Sequence, residues 1–170
     1  MPLYQPMQME LETRRLALRP WTWDDTENYR ALTAERDTRT TRSVTTARER
    51  IAAQLASAER TGIALLTVRR RAEGDFIGYC GLIVGRASVD EPEIAYELFR
   101  RVHGHGYATE AAWSVVHAAA ATGRKRLWAT VGSWNAPSLR VLDKLAFHRD
   151  HVDPGHDGQG EIVWLTRSLP

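Results

Sequence analysis

The sequence predicts a single α/β domain, and three observations point to it. Runs of period two alternate along the chain with runs of helical period. Helices are interspersed among seven predicted strands with no second core between them. At 170 residues and 43% hydrophobic content the chain suits one domain that needs no disulfide or metal to hold it. The single Cys80 excludes an internal disulfide and fits a reducing, cytoplasmic compartment. A net charge of +2 without a clustered basic patch argues against a nucleic-acid partner. No apolar run reaches the ~18 residues of a membrane span, and the opening MPLYQPMQMELE lacks the pattern of a signal peptide.

Residues 1–12 read as a loose lead-in, with the domain over 13–170. Arg15–Arg19 alternates as a short strand. Thr22 with Asp25 caps a first helix bearing Tyr29 and Leu32. Thr46 and Glu49 form a capping-box pattern before Ile51, Ala52, Leu55 and Ala58, and Arg36–Val44 is the loop between these helices. Strands Ile63–Arg69 and Phe76–Val84 flank the turn Ala72–Asp75 as a hairpin. Glu93–Phe99 is the fourth strand. From Gly106 to Ala121 the chain is Ala-rich and apolar nearly all round, a helix buried against a sheet and stopped at Gly123. A fifth strand, Arg126–Val131, precedes a helix with Leu139, Leu142 and Leu145, capped by Ser133 or Asn135. Phe147–Val152 and Glu161–Arg167 close the sheet.

The segment that carries chemistry is Arg101-Val102-His103-Gly104-His105-Gly106-Tyr107-Ala108-Thr109-Glu110-Ala111, between a strand and the buried helix. Two glycines allow close backbone approach, and the helix behind them contributes free N–H groups and its positive dipole end. That combination suits a phosphate, with Arg101 as a charged partner; a plain strand-to-helix turn explains the glycines equally well. Thr109 occupies the third glycine of a dinucleotide fingerprint, and no Walker lysine follows.

Arg101-x-x-Gly104-x-Gly106 followed by Tyr-Ala-Thr-Glu-Ala resembles the pyrophosphate signature of the GNAT N-acetyltransferases, in particular the RimJ/RimL branch. Thr13-Arg14-Arg15-Leu16-x-Leu18-Arg19-Pro20 is similar to that branch's opening strand. Glu93-Ile94-Ala95-Tyr96 is similar to its fourth strand, and Asn135-x-x-Ser138 through Phe147 to its later helix. The resemblance implies a mixed, mostly antiparallel sheet of about seven strands flanked by about four helices. It also implies splayed fourth and fifth strands that admit the pantetheine of acetyl-CoA. Backbone groups of the fourth strand, including Leu98 and Phe99, then hold the thioester. Val102, His103, Gly104, His105, Gly106, Tyr107 and Ala108 supply the pyrophosphate site.

By the same resemblance Ser138 faces the departing sulfur and Asn135 bonds pantetheine, although each also suits a helix N-terminus. Leu142 stands where other GNAT enzymes carry a tyrosine acid, so no acid is expected there. Glu93 is the candidate base or ammonium anchor, with Asp90, Glu91 and Glu97 adding negative potential, and Thr130 replaces a glutamate of some relatives. The histidines form no metal pattern, Cys80 reads as a buried small hydrophobe, and Trp134 is placed to line an acceptor pocket. The expected activity is acetyl transfer from acetyl-CoA to a primary amine, first a protein or peptide N-terminus and then a small amine. A non-catalytic acyl-CoA sensor is the alternative, supported by the missing tyrosine and unassigned base. Arg36, Arg39 and Arg42 offer no readable acceptor motif, the preferred acyl length is open, and a homodimer is common in the branch.

Overall fold

The computed structural model describes residues 3–36, 42–156, 158 and 160–170, and one sheet runs through them. Its strands are β1 (Leu11–Glu12), β2 (Leu16–Arg19), β3 (Leu65–Arg70), β4 (Phe76–Ile83), β5 (Glu93–Leu98), β6 (Arg126–Gly132), β7 (His148–Asp153) and β8 (Ile162–Ser168). They lie in the order β1-β2-β3-β4-β5-β6-β8-β7. All neighbours pair antiparallel except β5 and β6, which are parallel and share one register pair, Glu93 with Trp128. The expected seven strands become eight because Leu11–Glu12 adds a short edge beside β2. The fourth and fifth strands of the sequence reading are therefore β5 and β6.

Over its described residues, from 3 to 12, the lead-in is not loose. The Gln5 N–H donates to Thr122 O at 3.0 Å, the Met7 N–H donates to Gly62 O at 2.8 Å, and the Met7 side chain is 2% exposed. An apolar side chain and two backbone donors hold the segment against the turns that follow two helices, which composition alone did not reveal.

Helix α1 (Thr26–Arg36) follows a single 3-10 turn in which Thr22 and Asp25 make the reciprocal capping bonds expected of them. Helix α2 (Val44–Thr61) starts earlier than expected: Ser43, not Thr46, is the cap, its hydroxyl accepting from the Thr46 N–H at 3.1 Å. Residues 37–41, and with them Arg39 and most of the expected loop, lie outside the described residues. Helix α3 (Tyr107–Ala121) buries Ala111, Ala112, Val115, Val116, Ala118 and Ala119, whose small side chains let the helix pack closely on the sheet. Helix α4 (Ala136–Lys144) is capped by Asn135, with Pro137 in its first turn.

Two cores result. The larger joins α3 to Leu66, Val68, Cys80, Leu82, Ile94 and Leu98, and the smaller clusters Trp21, Leu32, Ile51 and Phe76 beneath α1 and α2. On β5 the alternation separates the two sides: Ile94 and Leu98 face the α3 core, while Glu97 pairs with Arg36 of α1.

Because Met7 is part of the main core, Met7→Ala is expected to lower unfolding free energy by about 2 kcal/mol or more, read from the urea midpoint. A loose lead-in would leave the midpoint unchanged.

Candidate active site

The turn between β5 and α3 owes its shape to Gly104 and Gly106, with φ of +83° and +80°. A side chain at either position would be strained although space is open around it: a Cβ on Gly104 meets nothing within 4 Å. Gly106 is the N-cap of α3, and the first helical backbone bond runs from the Glu110 N–H to Gly106 O. The amides of residues 107–109 precede that bond, so they are free to receive an anion at the positive end of the helix. Arg15 fastens the turn from β2's side of the sheet. Its Nη1 donates to His105 O at 2.9 Å, its Nε to Glu110 Oε1 at 3.1 Å, and its guanidinium stacks 4.4 Å from the Tyr107 ring centre. The Thr13 hydroxyl donates to the other Glu110 oxygen at 3.0 Å.

Below the turn, where β5 and β6 diverge, lies a cavity of about 410 Å³. Its walls are Tyr96, Glu97 and Leu98 of β5, Val102, His103, Gly104, Gly106, Tyr107, Ala108 and Thr109 of the turn, and Asn135, Pro137, Ser138, Arg140, Val141 and Lys144 around α4. A larger groove of about 760 Å³ between α4 and β7 shares only Arg140 and Lys144 with it and lacks the open amides. Inside the smaller cavity the hydroxyls of Tyr96 and Ser138 are 3.0 Å apart, and the Tyr96 hydroxyl also donates to Ser138 O at 3.2 Å. Burial pushes the Tyr96 phenol up to about 12, while the Ser138 hydrogen bond acts the other way. It therefore keeps its proton through the neutral range. Asn135 Oδ1 accepts from the Ser138 N–H at 3.2 Å, fixing the first turn of α4.

Of the residues expected at the site, Ser138, Asn135, Leu98, Val102, His103, Gly104, Gly106, Tyr107 and Ala108 come together here. His105 and Phe99 do not line the cavity; Phe99 instead packs edge-on against Phe76. Arg101 is also elsewhere. Its Nη1 donates to Asp75 Oδ2 at 2.9 Å and its Nη2 to Phe76 O at 3.2 Å, so the β3–β4 turn holds the charge that was expected on a phosphate. Glu93 is 4% exposed and both its oxygens are engaged, one by the Arg86 N–H and one by the Thr130 hydroxyl. It pins the loop before β5 to β6 and does not reach the cavity. Trp134, 67% exposed, lies over Gly132 and Gly160 and lines neither cavity. Leu142 is fully buried, as an apolar residue at that position requires.

Sequence reading passed over Tyr96, Arg140 and Lys144. Tyr96 shares a strand face with Ile94 and Leu98, which marks it as inward-facing, and Arg140 and Lys144 are four apart on one face of α4. Among the described residues no group of three His, Cys, Asp or Glu side chains is arranged to hold a metal. Among the described residues no helix is long and apolar enough to cross a membrane.

The sequence profile of the acetyltransferase (GNAT) domain matches residues 15–148, and the chain belongs to that family. Solved structures share the fold. An acetyltransferase from Agrobacterium tumefaciens is 26% identical, with a TM-score of 0.78 over 98% of each chain. RimJ of Mycobacterium smegmatis, in complex with CoA-disulfide, is 21% identical with a TM-score of 0.74, covering 90% of this chain and 81% of RimJ. The RimL ribosomal-protein α-N-acetyltransferase in complex with coenzyme A is 12% identical with a TM-score of 0.81, covering 95% and 98%. No curated sequence matches the chain.

Hydrogen bonds from Arg70 and Arg101 hold the Asp75 carboxyl down at about 2 against an ordinary 3.8. A depressed folded-state value stabilises the protein fully above the ordinary one, and the contribution is lost as pH falls from about 4 toward 2. Thermal denaturation across that window is expected to show the loss in the parent protein and a flatter profile in Asp75→Asn.

Proposed function

We propose that this GNAT protein is an acetyl-CoA-dependent N-acetyltransferase that transfers the acetyl group to a primary amine by direct attack on the thioester. A peptide or protein N-terminus is the first class of acceptor and a small amine the second. The observation that carries the reading is the cavity itself, lined both by the turn with its open amides and by the Tyr96–Ser138 hydroxyl pair. The residues suit CoA: the amides of 107–109 would take the pyrophosphate, Arg140 and Lys144 would add positive charge, and the gap beside β5 would receive pantetheine. Acetyl-CoA supplies an acetyl group already activated as a thioester.

Attack by a neutral amine forms the C–N bond and breaks the C–S bond, leaving a thiolate that needs a proton. Tyr96, protonated throughout the working range, gives it directly or through Ser138, and the surplus proton of the new amide nitrogen restores the hydroxyl through water. The sensor alternative drew support from the missing tyrosine at Leu142. A phenol arriving from β5 removes that support, and the enzyme reading is favoured. The buried, unreactive thiol of Cys80, pushed up by desolvation, accords with a reducing compartment and offers no nucleophile for a covalent route.

Acetyl-CoA and CoA are expected to raise Tm, and release of free thiol with an amine panel separates enzyme from sensor. Gly106→Val should abolish the Tm shift. Arg140→Ala and Lys144→Ala should each weaken CoA binding by about 1 kcal/mol, the scale of a solvated phosphate contact, while Arg101→Ala leaves it within about twofold. Equal losses in all three variants would return Arg101 to the cofactor. Tyr96→Phe should reduce kcat by about 10²-fold or more with CoA affinity nearly intact, and Ser138→Ala by less. Loss of affinity alone in both would make the pair part of the pantetheine channel only.

A further inference from the structure

The carboxylates near the split are not equivalent. Glu93 has both oxygens occupied, and Glu91 accepts from Trp128 Nε1 at 2.8 Å. Glu97 differs: it lines the cavity, one oxygen lies 3.3 Å from Arg36 Nε, and the other is buried with no hydrogen-bond partner among the described residues. A buried carboxylate oxygen without a donor is unfavourable unless something that binds there supplies one. A primary ammonium brings three N–H donors and a compensating charge.

We propose that Glu97 receives the ammonium of the acceptor and takes its proton, the step that releases the lone pair for attack. This rests on the acetyl-transfer reading above. The charged and titratable groups facing Glu97 are Arg36 and Glu35 of α1 and Tyr79 of β4, with Tyr29 of α1 beyond Tyr79. Glu35 is itself tied to Arg100, its Oε2 accepting the Arg100 N–H at 3.0 Å and its backbone O accepting from Arg100 Nη2 at 2.8 Å. The charges of Glu35 and Glu97 are balanced by those of Arg36 and Arg100, so what draws a cation here is the Glu97 oxygen that lacks a donor. Burial raises the Glu97 carboxyl above its ordinary range and Arg36 opposes that rise. A raised carboxyl is a better match to an ammonium donor than an ordinary one.

The step balances. An N–H bond of the ammonium breaks and an O–H bond forms on Glu97, giving a neutral amine and a neutral acid. The amine's lone pair then makes the C–N bond, and Glu97 returns its proton to water once the product leaves. Glu97 and Tyr96 are adjacent in sequence and face opposite sides of β5, so the base meets the acceptor on the α1 side while the acid meets sulfur on the α4 side.

The test is thiol release from acetyl-CoA with three probe amines: Ala-Ala-Ala with a free N-terminus, a strongly basic alkylamine, and a weakly basic aromatic amine that is neutral at assay pH. CoA affinity of each variant is measured in parallel. Glu97→Gln is expected to lower kcat/KM about 10²-fold or more for the two basic amines, change it less than about threefold for the aromatic amine, and leave CoA affinity intact. In the parent protein kcat/KM rises with pH as Glu97 deprotonates. Arg36→Ala removes a group that lowers the Glu97 pKa, so it should move that rise to higher pH, and Glu97→Gln should remove it, leaving for the basic amines only the rise that tracks deprotonation of the free amine itself. Equal losses for all three amines, a rise unmoved in both variants, or no loss at all would overturn the assignment while leaving acetyl transfer standing. CoA binding without transfer to any amine would overturn the enzyme reading itself, and this inference with it.

Discussion

The site depends on one constraint, the point at which β5 and β6 part. The two strands share a single ladder pair, Glu93 with Trp128, reinforced by the Trp128 N–H donating to Pro92 O at 2.9 Å. Glu93 holds that point. Its carboxylate takes the Arg86 N–H from the loop before β5 and the Thr130 hydroxyl from β6, so it is buried but hydrogen-bonded at both oxygens. Removing either partner would strand charge in the interior, which is far costlier than losing a surface contact. Past this pin no further pair joins the strands, and the facing edge of β5 opens into the cavity.

An opening between strands is useful only if something closes its far side, and α3 does so with its first turn. The helix packs tightly because its buried positions are Ala and Val, and its N-terminus is located by contacts from far along the chain. Arg15 and Thr13 grip both oxygens of Glu110, while Arg15 also holds the His105 carbonyl. An acidic residue in the first turn already suits the helix dipole, and here it also anchors the glycine turn to the sheet edge. The opening Thr-Arg-Arg-Leu segment thus contributes to the site without touching the cavity: it fixes where the open amides point.

Much of this was legible from the chain because local and global signals agree. Strand alternation, the Thr22–Asp25 box, the hairpin turn and the Ala-rich helix each follow from residue spacing, and the glycine turn announces its own need for positive φ. What was not legible is the destination of long polar side chains. Arg101 has the same sequence neighbours whether it meets a phosphate or Asp75, and only the placement of the β3–β4 turn decides between them. Glu93 likewise reads as an available carboxylate until Arg86 and Thr130 are seen to consume it. Met7 was missed for the converse reason: a single apolar side chain in a Pro- and Gln-rich segment has no periodicity to reveal it, yet 2% exposure places it in the core.

The same alternation that makes β5 recognisable as a strand also divides the proposed chemistry. With a side-chain period of two, Tyr96 and Glu97 cannot face the same side of the sheet, and the structure sends one hydroxyl to Ser138 on α4 and one carboxylate to Arg36 on α1. Burial raises both groups, so the phenol stays protonated and the carboxyl is moved toward the range of a proton acceptor for an ammonium. Had both sat on one face, a carboxylate beside the phenol would have competed with the leaving sulfur for its proton. In the proposed reaction, separation across the strand lets an acid and a base one residue apart work on opposite ends of the same reacting bond system.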